Sequence, residues 1–109
     1  MQGGQGATGT SNTFFNYKAD TSATSGAPAT GHILWNNATQ TSATSIKVND
    51  TDLNSNNIDV FLSNVSVGTI IVLQDQASQS NFQRWEVTSK TDNTTYWTYG
   101  LTYLSGGYS

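Results

Sequence analysis

Cysteine is absent from this 109-residue chain, and with it go disulfide staples, thiolate metal sites and thiol nucleophiles. Proline occurs once, at Pro28, and histidine once, at His32. Charge is scarce as well: 10% of the residues are charged, against about 25% in an average globular protein. The four basic residues, Lys18, Lys47, Arg84 and Lys90, are scattered through a chain of net charge −3. Neutralising phosphates needs clustered Lys and Arg, so nucleic acid is not an expected partner. No apolar run approaches the roughly 20 residues that cross a bilayer as a helix, and the N-terminus lacks the basic and apolar regions of a signal peptide. Membrane insertion is not expected either.

What is plentiful is Ser, Thr, Asn and Gln. These residues supply the polar surface, and they favour turns and strands over helix interiors. Their short side chains compete for backbone hydrogen bonds or branch at Cβ. Glu86 is the only glutamate, so the usual filler of exposed helix faces is missing. Together these features predict an all-β fold, and the length predicts one domain with a modest core. A small β domain without a staple often buries its remaining surface by oligomerising.

The chain opens with Gly3, Gly6 and Gly9 in three successive triplets. Three polyproline-II chains wind together only where the residue at the crowded axis has no side chain, which is the origin of the collagen period. Residues 1–12 therefore read as the end of a collagen-like or flexible Gly-rich stalk, and residues 13–109 as the β domain. Three triplets without proline do not hold a triple helix alone, so the β domain is expected to hold the trimer.

Strand signals begin with the aromatic and β-branched run Thr13 to Ala19. Asp20 to Thr30 is small and polar and reads as a loop. His32 to Asn36 and Ser45 to Val48 follow as strands, and Asn49 to Asn57, crowded with Asn and Asp, reads as a surface loop. Ile58 to Leu62 is a further apolar segment. Thr69 to Gln74 is apolar on both faces, which predicts a central strand covered on each side. Phe82 to Lys90 alternates, with Trp85 and Val87 on one face; Trp97, Tyr99, Leu101 and Tyr103 share a face in the last segment. These two read as a hairpin around Thr91 to Thr94. About seven short strands suggest a small β-sandwich or jelly-roll-like domain. The pentapeptide Thr21 to Ser25 recurs at Thr41 to Ser45, but its flanks do not, so the chain is no solenoid.

Catalytic arrangements fit poorly. A Ser-His-Asp triad would have to use His32, which stands at the start of an apolar strand, and no Gly-x-Ser-x-Gly elbow occurs. Glycoside hydrolysis needs two carboxylates across a cleft, for which one such chain has little room; an inter-subunit polysaccharide-degrading enzyme is the weaker alternative. Asp50, Asp52 and Asn54 alternate as in a calcium loop, yet Ser55 and Phe61 stand where that loop needs glycine and glutamate. A plain polar turn is the better reading, and no cofactor is implied. Sequons at Asn37, Asn49, Asn64 and Asn93 arise by chance in so Asn- and Thr-rich a sequence. The aromatics carry more. Trp85 and Trp97 read as core, while Trp35, Tyr96, Tyr99 and Tyr103 are the candidates for contacting a ligand or lining a subunit interface.

The glycine triplets followed by Phe15-Asn16-Tyr17-Lys18-Ala19-Asp20 resemble collagen-like bacteriophage fibre proteins. Further similar stretches are the loop and strand from Gly26 to Asn37, then Asp59 to Leu62, Ile71 to Asp75 and Phe82 to Val87. The resemblance implies a homotrimer on a tail or head fibre, located on the virion and exposed to host surface carbohydrate. It implies no catalytic residues. In this sequence Ala27-Pro28-Ala29 stands where the group often carries more Gly and Asp. The alternative setting is a bacterial cell surface, where a collagen-like protein would carry the domain as an adhesin or carbohydrate-binding module.

Overall fold

The computed structural model describes residues 15–75 and 81–106. In chain order its elements are β1 (Lys18–Asp20), β2 (His32–Trp35), a 3-10 turn (Gln40–Ser42), β3 (Ser45–Asn49), α1 (Asp59–Ser63), β4 (Ile70–Gln74), β5 (Phe82–Asp92) and β6 (Tyr96–Gly106). The all-β expectation holds. The strands form one mixed sheet in the order β1-β2-β3-β6-β5-β4, where the strand count had suggested two packed layers. Among the described residues only the β1–β2 pair is parallel; each other neighbouring pair is antiparallel.

One sheet makes a core here because it curls. Ile33 and Trp35 of β2 pack in the same cluster as Trp85 and Val87 of β5, although β3 and β6 lie between them in the sheet. The inward residues are those that alternation selects: Trp85 and Val87 on β5, then Trp97, Tyr99 and Leu101 on β6, all 7% exposed or less. Tyr103 follows on the same face and meets Trp85 edge-on, with ring centroids 5.2 Å apart.

Two irregularities bend the central hairpin. The β5–β6 register slips between Arg84 and Trp85 and again between Val87 and Ser89, and each slip re-aims the residues beyond it. Gly100 sits opposite the second slip. A Cβ there would collide with the Ser89 hydroxyl and lie 3.1 Å from that of Thr88, so the close approach of β5 to β6 needs glycine.

Several expectations are corrected. The first strand is shorter than Thr13 to Ala19: it begins at Lys18, and Thr13 and Phe14 lie outside the described residues. Ile58 to Leu62 turns into a one-turn helix, α1, because Ile58 and Leu62 are then one turn apart and both face the core. The Asn49 to Asn57 segment is only partly a surface loop, since Asn49, Asp50 and Asp52 are buried. The run from Thr69 to Gln74 is not central. As β4 it forms a sheet edge, with Ile71 and Leu73 packed on the core and Ile70 and Val72 left 44% and 45% exposed.

The outer face of the sheet is covered unevenly. Over β2 and β3 lies the Thr21 to Thr30 loop, tied down by Lys47 Nζ donating to the Gly26 carbonyl (3.0 Å) and Asn49 Nδ2 donating to that of Pro28 (3.0 Å). Leu34, which points away from the main core, is thereby only 2% exposed. Over β4 and β5 the apolar side chains of Ile70 and Val72 alternate with the register partners Glu86 and Arg84 at the surface.

Candidate functional site

Strand directions give the domain two ends. At the entry end the chain comes in at Phe15, β3 and β5 finish, and β2, β4 and β6 begin; at the far end β2 finishes and β5 begins. Each end buries a polar cluster.

At the far end the cluster is neutral. The Gln83 side chain, 2% exposed, accepts the indole N–H of Trp35 and that of Trp85, each at 3.1 Å, and its amide donates to Gln40 Oε1 at 2.7 Å. A primary amide is suited to this position because its oxygen has two lone pairs and its nitrogen carries donors. Beside the cluster lies a shallow depression lined by Asp20, Thr24, Trp35, Asn37, Ala38 and Gln40, with space of about 20 Å³, enough for roughly one water. Ser22 donates to Asp20 from both its hydroxyl (2.6 Å) and its backbone N–H (3.0 Å), and these bonds hold the Asp20 carboxyl below its ordinary value near 3.8. His32 stands 3.6 Å from Asp20, beyond hydrogen-bond reach, and its Nδ1 has no hydrogen-bond partner among the described residues.

The entry end is acidic. Asp52 is spent on a turn: its Oδ1 accepts the backbone N–H groups of Asn54 and Asn56, both at 2.9 Å. Asp59 accepts the Trp97 indole N–H at 2.8 Å. Asp50 is held through its backbone, its N–H donating to Thr95 and its carbonyl accepting from Ile58, while its Oδ1 is buried and accepts no hydrogen bond among the described residues. Burial first, then the negative charges of Asp59 and Asp92, push the Asp50 carboxyl above its ordinary value near 3.8. The same end pushes two tyrosine hydroxyls up: Tyr17 by burial, then Asp52 and Asp50, and Tyr99 by burial, then Asp50 and Asp59. Tyr99 donates to the Leu62 carbonyl at 2.5 Å and Lys90 Nζ to that of Ser63 at 2.7 Å, so both strands of the hairpin cap the last turn of α1.

The four aromatic candidates are not brought together. Trp35 is in the Gln83 cluster at the far end and Tyr99 in the stack with Trp97, and both are buried within this chain. Tyr96 is half-buried with Lys47 Nζ 5.9 Å above its ring, and Tyr103 is half-buried against Trp85. Among the described residues no three His, Asp or Glu side chains are arranged to hold a metal ion. Gln83 was missed in the sequence, although its place two residues before Trp85 and four before Val87 on an alternating strand puts it on the core face.

A surface of another kind is present. Leu53, Val60 and Phe61 are 51%, 68% and 53% exposed at the entry end, and Val67, Ile70 and Val72 are exposed along the β4 side. Phe15 packs on Phe61 with ring centroids 5.3 Å apart. No helix among the described residues is long and apolar enough to cross a membrane, so these side chains do not belong to a helical span. No protein-family model matches the chain, and neither a curated protein nor a solved structure does.

Proposed function

We propose that this chain is a non-enzymatic, trimer-forming β module that caps a collagen-like stalk on a virion fibre. The observation that carries the reading is apolar surface in a chain with little charge to keep copies apart. Val60, Phe61, Val67, Ile70 and Val72 are 44–68% exposed, while only 10% of residues are charged. Exposed apolar patches of this kind mark association surfaces. The glycine triplets at Gly3, Gly6 and Gly9 supply the threefold. Light scattering of the purified chain at micromolar concentration tests it: three times the chain mass is expected, and a stable monomer overturns it.

A second reading adds contact with host surface carbohydrate. It is favoured by the depression beside Trp35, which lies at the end opposite Phe15 and is lined in part by Asp20 and Asn37. The depression takes one hydroxyl-sized group rather than a sugar ring, so weak binding is expected. A glycan array comparing the intact chain with Asp20→Ala and Asn37→Ala tests it; signal that both variants abolish supports this reading, and signal indifferent to them removes it. On a bacterial cell surface the same module would act as an adhesin.

A further inference from the structure

We propose that the apolar entry end, formed by Phe15, Leu53, Val60 and Phe61, is where three copies of this chain meet. This rests on the trimer reading and assigns its interface.

The placement starts from α1. Ile58 and Leu62 bury themselves in the core, and this rotation leaves Val60 and Phe61, two of the three residues between them, facing outward at 68% and 53% exposure. More than half of each side chain's surface is left open to solvent in the isolated domain. They are not scattered singly. Phe15 lies against Phe61, its ring tilted 54° at 5.3 Å. Leu53 joins the same end, its backbone N–H donating to the Asn16 carbonyl at 2.7 Å and its side chain lying over Gly31. Asp59 turns its carboxylate to the Trp97 indole N–H at 2.8 Å and keeps its charge there.

Chain length selects the occupant. Gly9, the last triplet glycine, is six residues before Phe15. Six residues span at most about 20 Å when fully extended. If three copies bring their glycines to a common axis, the three Phe15 side chains lie within roughly that distance of it, and the patch around them faces inward. The far end, with Gln83 and the depression beside Trp35, then points away from the stalk. The rival surface is the β4 edge with Ile70 and Val72, which no such tether orients.

Sedimentation velocity of the full 109-residue chain and three variants, with near-ultraviolet circular dichroism as a check on the fold, decides between them. The variants are Val60→Glu, Phe61→Glu and Val72→Glu, all at positions exposed in the single chain, so the fold should tolerate them. The expected result is a trimeric parent, association weakened roughly a hundredfold by either entry-end variant, and little change for Val72→Glu. A trimeric parent unaffected by Val60→Glu and Phe61→Glu overturns this interface and leaves the trimer reading standing. A monomeric parent overturns both. If an entry-end variant loses its native dichroism, Val60→Ser replaces it, with weakened association again the supporting result and unaltered association the overturning one.

Discussion

The two ends of this core face the same difficulty, polar atoms cut off from water, and answer it differently. At the far end one amide joins two indoles and a second amide, and its bonds satisfy both indole donors at once. At the entry end three carboxylates share a small region, and the most buried of the trio Asp50, Asp59 and Asp92 has an oxygen with no donor among the described residues. A satisfied neutral network stabilises and specifies packing, whereas an unpaired buried charge costs free energy. The far end is therefore the firmer of the two, and the entry end holds strain that substitutions can relieve.

The largest effect should come from breaking the firm end. Gln83→Leu leaves two buried indole N–H groups and the Gln40 oxygen without partners. Urea denaturation should show a loss of about 3 kcal/mol, at roughly 1 kcal/mol or more for each orphaned group. A loss below about 1 kcal/mol would mean that the network contributes little. At the entry end Tyr99→Phe removes the bond to the Leu62 carbonyl and should cost about 1–1.5 kcal/mol, loosening α1 more than the sheet. Hydrogen exchange at the amides of Val60 to Val65 would locate the change; uniform acceleration across β5 and β6 would contradict it.

Asp50→Asn should move stability the other way. Burial raises the Asp50 carboxyl above 3.8, so the folded state takes up a proton more readily than the unfolded state. The cost of its charge is greatest above the folded pKa and shrinks as the pH falls toward 3.8. The variant should be more stable than the parent by about 1 kcal/mol at neutral pH, with the gap closing near pH 4. Thermal melts at pH 7 and pH 4 measure this, and a gap that is constant or reversed counts against it. Asp20 runs oppositely: its lowered pKa contributes stability above 3.8 that is lost as the pH falls through the folded value. The smallest effect is at the β5–β6 turn, where the β-branched Thr94 has φ of 79°. Thr94→Gly should stabilise by about 0.5 kcal/mol, the relief of left-handed strain exceeding the entropy cost of glycine. A melt at or below the parent's would show that the turn is not strained.

The hairpin was legible because its code is redundant. From Phe82 to Leu104 the large side chains alternate over two long segments, and Trp85, Val87, Trp97, Tyr99 and Leu101 fall inward as that period requires. Short segments carried no such redundancy. Ile58 to Leu62 is apolar at spacings that serve either a strand or one helical turn, and only the packing of Ile58 and Leu62 on the core decides it. Asp50 was taken for surface because it sits among Asn and Asp, whereas its backbone bonds to Thr95 and Ile58 draw it inward. The β4 segment misled in a more useful way. Its two-sided apolar character predicted cover on both faces, and the single chain covers one. Gln83 could have been found from its inward register alone; its partner Gln40, on a turn far away in sequence, could not.

The one parallel pair in the sheet has a mechanical consequence. Since β1 runs with β2, β2 against β3 and β3 against β6, the first and last strands point the same way. The chain thus enters at one end of the sheet and leaves β6 at the other. A pull applied ahead of Lys18 and resisted beyond Gly106 acts along the strands, and the bonds pairing Lys18, Ala19 and Asp20 with His32, Ile33 and Leu34 are sheared together instead of being peeled in turn. Tension along the chain would meet this domain along its stiff direction.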